Sequence, residues 1–191
     1  MLKIAISGNI ASGKSVVENF IRGKGYKVFD TDIIAHEKID EFSLQIINTF
    51  KDCDILSDDK IDRKKLGKIV FNNPDKLKML ENILDPLVRD EIEKIFNQNA
   101  KEDAIFISVP LLFESGFDKM FDKILFVSAK ENIRLARLIK RNNLTNEEAQ
   151  VRIDAQLGEI HKLDKCDFIV NNNGSIKELE IELEKMLSNI C

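Results

Sequence analysis

The sequence predicts an α/β fold in three layers, with helices on both faces of a parallel sheet of about five strands. Three observations carry this expectation. Short apolar runs rich in β-branched residues alternate with longer amphipathic stretches. A glycine-rich loop follows the first apolar run and opens a helical pattern. One long segment, residues 42–98, interrupts the alternation with helical periodicity and no convincing strand.

The strands are expected at 2–7, 27–30, 104–109, 123–127 and 167–170. Amphipathic helices are expected at 15–24, 131–141 and 176–190. The last of these sets Ile176, Leu179, Leu183, Met186, Leu187 and Ile190 on one face. Thr145 with Glu148, and Ser175 with Glu178, have the spacing of capping boxes and mark two helix starts. Within the strandless segment, Ser57-Asp58-Asp59-Lys60 reads as a polar turn between two helical patterns. The organisation expected is one domain, 1–191. Its core comprises 1–40, 101–130 and 164–191, with a helical insertion at 41–100 and a helical hairpin at 131–163.

Composition narrows the function classes. The 191 residues are 43% hydrophobic and 32% charged, the balance of a soluble globular protein with material for a sizeable core. A formal net charge of -4 lacks the basic excess of a nucleic-acid binder. No apolar stretch approaches the roughly 18 residues of a membrane span, and the run before Gly8 is too short for a signal peptide. Cys53, Cys166 and Cys191 are odd in number and form no CxxC pair, and His36 and His161 have no second ligand nearby. These features point to a cytoplasmic protein with reduced thiols and no structural metal.

The strongest signal is Gly8-Asn9-Ile10-Ala11-Ser12-Gly13-Lys14-Ser15, which matches G-x-x-x-x-G-K-[ST]. The glycines let the backbone wrap closely around phosphate oxygens, and the loop amides and helix N-terminus supply aligned donors. Lys14 would reach the β- and γ-phosphates of ATP, and the Ser15 hydroxyl would coordinate Mg²⁺. A chance match is expected in about one chain in a hundred of this length. The preceding strand and following helix supply the required context. The fold expected is therefore of the P-loop NTPase type. No Asn-Lys-x-Asp guanine signature and no Leu-Ser-Gly-Gly-Gln transporter signature occurs, which leaves small-molecule kinases as the leading class.

Two further groups fit a kinase. Asp30-Thr31-Asp32 lies at the end of the second strand, where parallel sheets collect ligands. An acidic residue there could orient an acceptor hydroxyl and take its proton, or simply cap a helix. Arg134, Arg137 and Arg141 recur at spacings of three and four, so they share a helical face. That face suits a lid over phosphates, or a solvated surface. Ser108 ends the third strand where many P-loop proteins place a metal-side Asp.

The ordered set of motifs resembles the dephospho-CoA kinase family. It comprises the phosphate loop, Phe29-Asp30-Thr31-Asp32, Ile61-Asp62-Arg63, Asp85-Pro86-Leu87-Val88-Arg89 and Val109-Pro110-Leu111-Leu112-Phe113-Glu114. Leu135-Ala136-Arg137, Arg141-Asn142-Asn143, Gln156, Lys162 and Asn172-Asn173-Gly174-Ser175 complete it. The resemblance implies transfer of the γ-phosphoryl of ATP to the 3′-hydroxyl of dephospho-CoA. It implies Lys14, Asp32, Arg137 and Arg141 as catalytic residues, Asp32 being the base. It also implies Arg63, Arg89 and residues Pro110, Leu111, Leu112, Phe113 and Glu114 at the acceptor and Asn172 at the adenine. With Ser108 in place of a metal-side Asp, Mg²⁺ is expected on Ser15, the phosphates and waters, with Asp32 or Glu114 in its outer shell. The enzyme expected is a monomer with a small-molecule partner. The family's usual His-Pro appears here as Asp85-Pro86, and its Phe-Gly as Phe50-Lys51. Two alternatives share the core: a nucleoside or nucleotide kinase, and a nucleotide-dependent switch module. Acceptor-stimulated ADP release separates them.

Overall fold

The computed structural model describes residues 1–190. Its chain begins with β1 (Leu2–Ser7), α1 (Lys14–Gly23) and β2 (Lys27–Asp30), followed by α2 (Thr31–Glu41) and α3 (Ser43–Thr49). A hairpin, β3 (Leu56–Ser57) and β4 (Lys60–Ile61), precedes α4 (Arg63–Phe71) and α5 (Pro74–Gln98). The chain then forms β5 (Ala104–Ser108), a 3₁₀ turn at Asp118–Met120, β6 (Lys123–Ser128), α6 (Glu131–Asn142) and α7 (Asn146–Asp154). It closes with α8 (Ile160–Leu163), β7 (Phe168–Asn171) and α9 (Ile176–Leu187). Two compact units result, one of residues 1–30 and 99–190, the other of residues 31–98.

In the first unit, five parallel strands run in the order β2-β5-β1-β6-β7. The five expected strands all form, with ends shifted by one residue at most. β1 and β5 are near-continuous apolar runs because strands covered on both faces have no polar side to show. Ile4, Ile6, Phe106, Leu125 and Val127 pack with Val17 and Ile21 of α1 and with Leu179 and Leu183 of α9. Removing such a buried side chain to alanine costs about 2–5 kcal/mol. A smaller cluster, Leu138, Ala149 and Ile153, holds α6 to α7, and Ile10 and Ala11 of the glycine-rich loop pack against it. Both expected capping boxes are present, at Thr145 and Ser175.

The second unit is mostly helical around Ile39, Ile46, Phe50, Leu66, Val70 and Leu80. Lys38 of α2 is buried and pairs with Glu41 at 2.8 Å and Glu91 at 3.0 Å. Those hydrogen bonds raise its pKa above the ordinary lysine value. One expectation is corrected here. The segment contains a strand pair, with Leu56 opposite Ile61 and Ser57 opposite Lys60. Asp58 and Asp59 turn the chain at φ 49° and 59°, the two positive values of a type I′ hairpin turn. Asp62 then caps α4, accepting from the amides of Lys64 and Lys65.

Candidate active site

The site is built on the carboxyl ends of the central strands. β1 ends at Ser7 and releases the chain into residues 8–15, which curl back to start α1 at Lys14. β5 lies beside β1, with Ser108 in register with Ile6, and β2 lies beyond it, with Asp30 opposite Ser108. The loop depends on two glycines. A Cβ on Gly8 would come within 2.6 Å of Ser12 Oγ and 2.7 Å of the Val127 carbonyl oxygen. Gly13 sits at φ 95°, and a Cβ there would meet the Asn172 side chain at 2.0 Å. Between them Ala11 holds φ 61°, a left-handed conformation that costs about 1–2 kcal/mol for a residue with a Cβ.

Partners from distant parts of the chain hold this loop in shape. The Ile10 amide donates to Gln156 Oε1 at 2.6 Å. Lys162, 1% exposed, donates to Asn9 Oδ1 at 2.9 Å and to Glu114 Oε1 at 2.7 Å. The Ser12 carbonyl oxygen accepts from Asn172 Nδ2 at 2.7 Å and from Arg137 Nη1 at 3.3 Å. Lys14 Nζ donates to Ser108 Oγ at 2.9 Å, and Ser108 in turn donates to Glu18 Oε1 at 2.6 Å. Ser15, first-turn neighbour of Lys14, is exposed.

The structure brings Gly8, Asn9, Ile10, Ala11, Ser12, Gly13, Lys14 and Ser15 together with Arg137, Asn172 and Glu114. Arg141 is one turn further along α6, exposed, with its Nε on Asn142 Oδ1 at 2.9 Å. Pro110, Leu111, Leu112, Phe113 and Glu114 form the loop after β5. Leu112 is buried in it, Leu111 is exposed, and Lys165 Nζ lies 5.6 Å from the centre of the Phe113 ring. Asp32 is in the first turn of α2, two residues beyond the end of β2. In the second unit, Arg63 opens α4 with Nη1 3.9 Å from Asp40, and Arg89 follows Asp85 by one turn of α5. Burial pushes the Asp85 carboxyl above its usual range, and Glu81 adds to the shift while Arg89 and Lys78 oppose it.

Arg134 departs from its expected place beside Arg137 and Arg141. It is 5% exposed, and its Nε donates to the Ala129 carbonyl oxygen at 3.1 Å. It ties the start of α6 to the end of β6, so spacing alone misplaces it on the lid face. Gln156 and Lys162 had no role from spacing, and Glu18 gave no signal beyond its position one turn after Lys14. Burial also pushes the Cys166 thiol up to about 11, with Asp167 contributing, so it stays protonated at neutral pH.

A phosphate loop on a five-stranded parallel sheet in the order 2-5-1-6-7, with a helical hairpin packed on the loop, defines a kinase of the P-loop class. The model of the dephospho-CoA kinase family matches residues 2–178, and the chain belongs to that family. A dephospho-CoA kinase of Oceanobacillus iheyensis is 38% identical, over 97% of this chain and 96% of its own. Among solved structures, a dephospho-CoA kinase from Campylobacter jejuni superposes with a TM-score of 0.78 at 34% identity, covering 98% of this chain and 96% of its own. A Thermus thermophilus protein superposes with a TM-score of 0.88 at 31% identity, covering 100% of this chain and 98% of its own.

Proposed function

We propose that the protein transfers the γ-phosphoryl of ATP to the 3′-hydroxyl of dephospho-CoA, giving coenzyme A and ADP, the final step of coenzyme A synthesis. The observation that carries this reading is the braced phosphate loop, with Lys14 and Arg137 converging on it, in a chain of this family. Phosphoryl transfer asks mainly for positioning and for charge stabilisation. The loop amides of residues 8–15 cradle the phosphates. Lys14 leaves Ser108 for the β- and γ-phosphoryl oxygens. Arg137 offers a planar guanidinium to the transferring group, and Arg141 joins it when the hairpin of α6 and α7 closes.

Asp32 accepts the proton of the acceptor hydroxyl and holds it in line for attack. Arg63, Arg89 and residues 110–114 bind dephospho-CoA, and the segment beginning at Asn172 flanks the adenine of ATP. Ser15 is exposed, and its hydroxyl would hold a cation that arrives on the nucleotide, because hard Mg²⁺ takes one or two protein oxygens and keeps its waters. Among the described residues no cluster of three His, Cys, Asp or Glu could cage a metal by itself. When bound, Mg²⁺ neutralises charge on the β- and γ-phosphates. The reading carries with it a cytoplasmic monomer, which light scattering and cell fractionation test.

The deciding experiment is ADP release from ATP with dephospho-CoA, with nucleosides and with no acceptor. Strong stimulation by dephospho-CoA alone, with coenzyme A identified by mass, is the expected result. Stimulation by nucleosides, or a slow hydrolysis indifferent to acceptor, overturns it.

A further inference from the structure

Glu18 has no part in the roles above, yet it occupies a place where an acid is costly. It is 5% exposed, on the face of α1 that also buries Val17 and Ile21. A buried carboxylate persists only when charge partners and hydrogen bonds compensate its lost hydration. Here its Oε1 accepts from Ser108 Oγ at 2.6 Å and lies 3.6 Å from Lys14 Nζ. Its Oε2 lies 3.7 Å from Arg22 Nη1. The Ser108 and Lys14 contacts meet at the end of β5, where many P-loop proteins carry an aspartate and this chain carries Ser108.

We infer that Glu18 is the carboxylate of the phosphate site, acting through the Ser108 hydroxyl in place of an acid on β5. The direction of the hydrogen bonds gives the means. Ser108 donates its proton to Glu18, so its oxygen is held as an acceptor, and it accepts from Lys14. With Lys14 on the phosphates, that oxygen would serve as an acceptor for the hydration shell of a divalent cation bound with the nucleotide. Glu18 is thus a positioning residue, through Ser108, for the outer shell of the cation. This inference rests on the kinase reading for the presence of a nucleotide and its cation.

The test reads binding rather than turnover. ADP affinity is measured by calorimetry with and without Mg²⁺ on wild type, Glu18→Gln, Glu18→Ala and the double variant Glu18→Ala/Ser108→Asp, each checked by thermal melting. Loss of the carboxylate should weaken the Mg²⁺ affinity of the ADP complex by about 10- to 100-fold, the usual effect of removing an outer-shell partner. Binding of metal-free ADP should change little. Aspartate at position 108 in the Glu18→Ala background should restore the Mg²⁺ effect. A folded Glu18→Ala protein with the wild-type Mg²⁺ effect overturns the inference, and so does a folded double variant without restoration. Should Glu18→Ala fail to fold, Glu18→Gln, which keeps the size and loses the charge, is decisive in its place. A wild type that shows this Mg²⁺ linkage but leaves dephospho-CoA untouched overturns the acceptor assignment and leaves the role of Glu18 standing. A wild type that binds no Mg²⁺·ADP overturns both.

Discussion

Arg137 grips Asn172 twice, donating from Nη2 to the main-chain oxygen at 3.0 Å and to Oδ1 at 3.2 Å. Its other terminal nitrogen reaches the Ser12 carbonyl oxygen, to which Asn172 also donates. The guanidinium is therefore fixed against the phosphate loop before any phosphate arrives. Pre-set donors of this kind need not reorganise as charge develops on a transferring group.

Arg137→Lys should lower kcat sharply and change KM for ATP much less. An ammonium cannot hold Ser12 and Asn172 together and also face phosphoryl oxygens in a plane. Steady-state kinetics on the folded variant checks this. A rise in KM with kcat intact would make Arg137 a ground-state binding residue.

Lys14→Ala should abolish transfer and keep the fold. Lys14 is partly exposed and gives the structure one hydrogen bond, to Ser108, and a longer contact with Glu18. Its contact with developing phosphoryl charge should be worth about 3 kcal/mol or more in the transition state. Turnover near wild type in a protein with an unchanged melting curve would remove the loop from the chemistry.

Asp32→Asn should lose about 10²- to 10⁴-fold in kcat, the range of general base catalysis, with little change in binding of ATP or dephospho-CoA. Two titrations decide between base and metal partner: kcat against Mg²⁺ concentration, and calorimetric binding of dephospho-CoA. Rescue of most activity by excess Mg²⁺ would take the base role from Asp32. Unchanged activity without rescue would take Asp32 out of the site.

Asp85→Asn should stabilise the protein at neutral pH. Burial, reinforced by Glu81, raises the folded pKa of Asp85 above its ordinary 3.8. A carboxyl with a raised folded pKa gives its full contribution below the unfolded value and loses it as pH rises through the folded one. Melting temperatures from pH 3 to 7 should show the asparagine variant pulling ahead above about pH 4, the unfolded range for Asp. Equal melting temperatures across that range would refute the shift.

How legible the protein was in its sequence follows from how local each feature is. The phosphate loop announced itself because its glycines, Lys14 and Ser15 are adjacent, and the five sheet strands because each is an apolar run bounded by turns. The pair Leu56–Ser57 and Lys60–Ile61 escaped, since two residues carry no period. Asp58-Asp59 was the available signal, as consecutive acidic residues tolerate the left-handed region of a tight turn. Arg134 illustrates a second limit. Spacing fixes its direction around α6, but what covers each turn depends on the sheet, and the Ala129 carbonyl lies at that end. Glu18 shows a third limit. Beside Lys14 it resembles an ordinary i, i+4 surface pair, and only the approach of Ser108, ninety residues away, makes it a buried acid. The roles of Asp32, Arg63 and Arg89 rest on motif resemblance, because chemistry with an absent substrate leaves no mark in packing.

The braces on the loop also impose an order on how the protein is made. Asn9, Ile10 and Ser12 leave the ribosome well before their partners Lys162, Gln156 and Asn172, which lie 153, 146 and 160 residues downstream. A ribosome that has delivered the whole glycine-rich motif has delivered none of its supports. The glycine-rich motif is thus translated long before the residues that complete its site, and a chain that stalls short of Gln156 carries the motif without the means to hold it open for a phosphate.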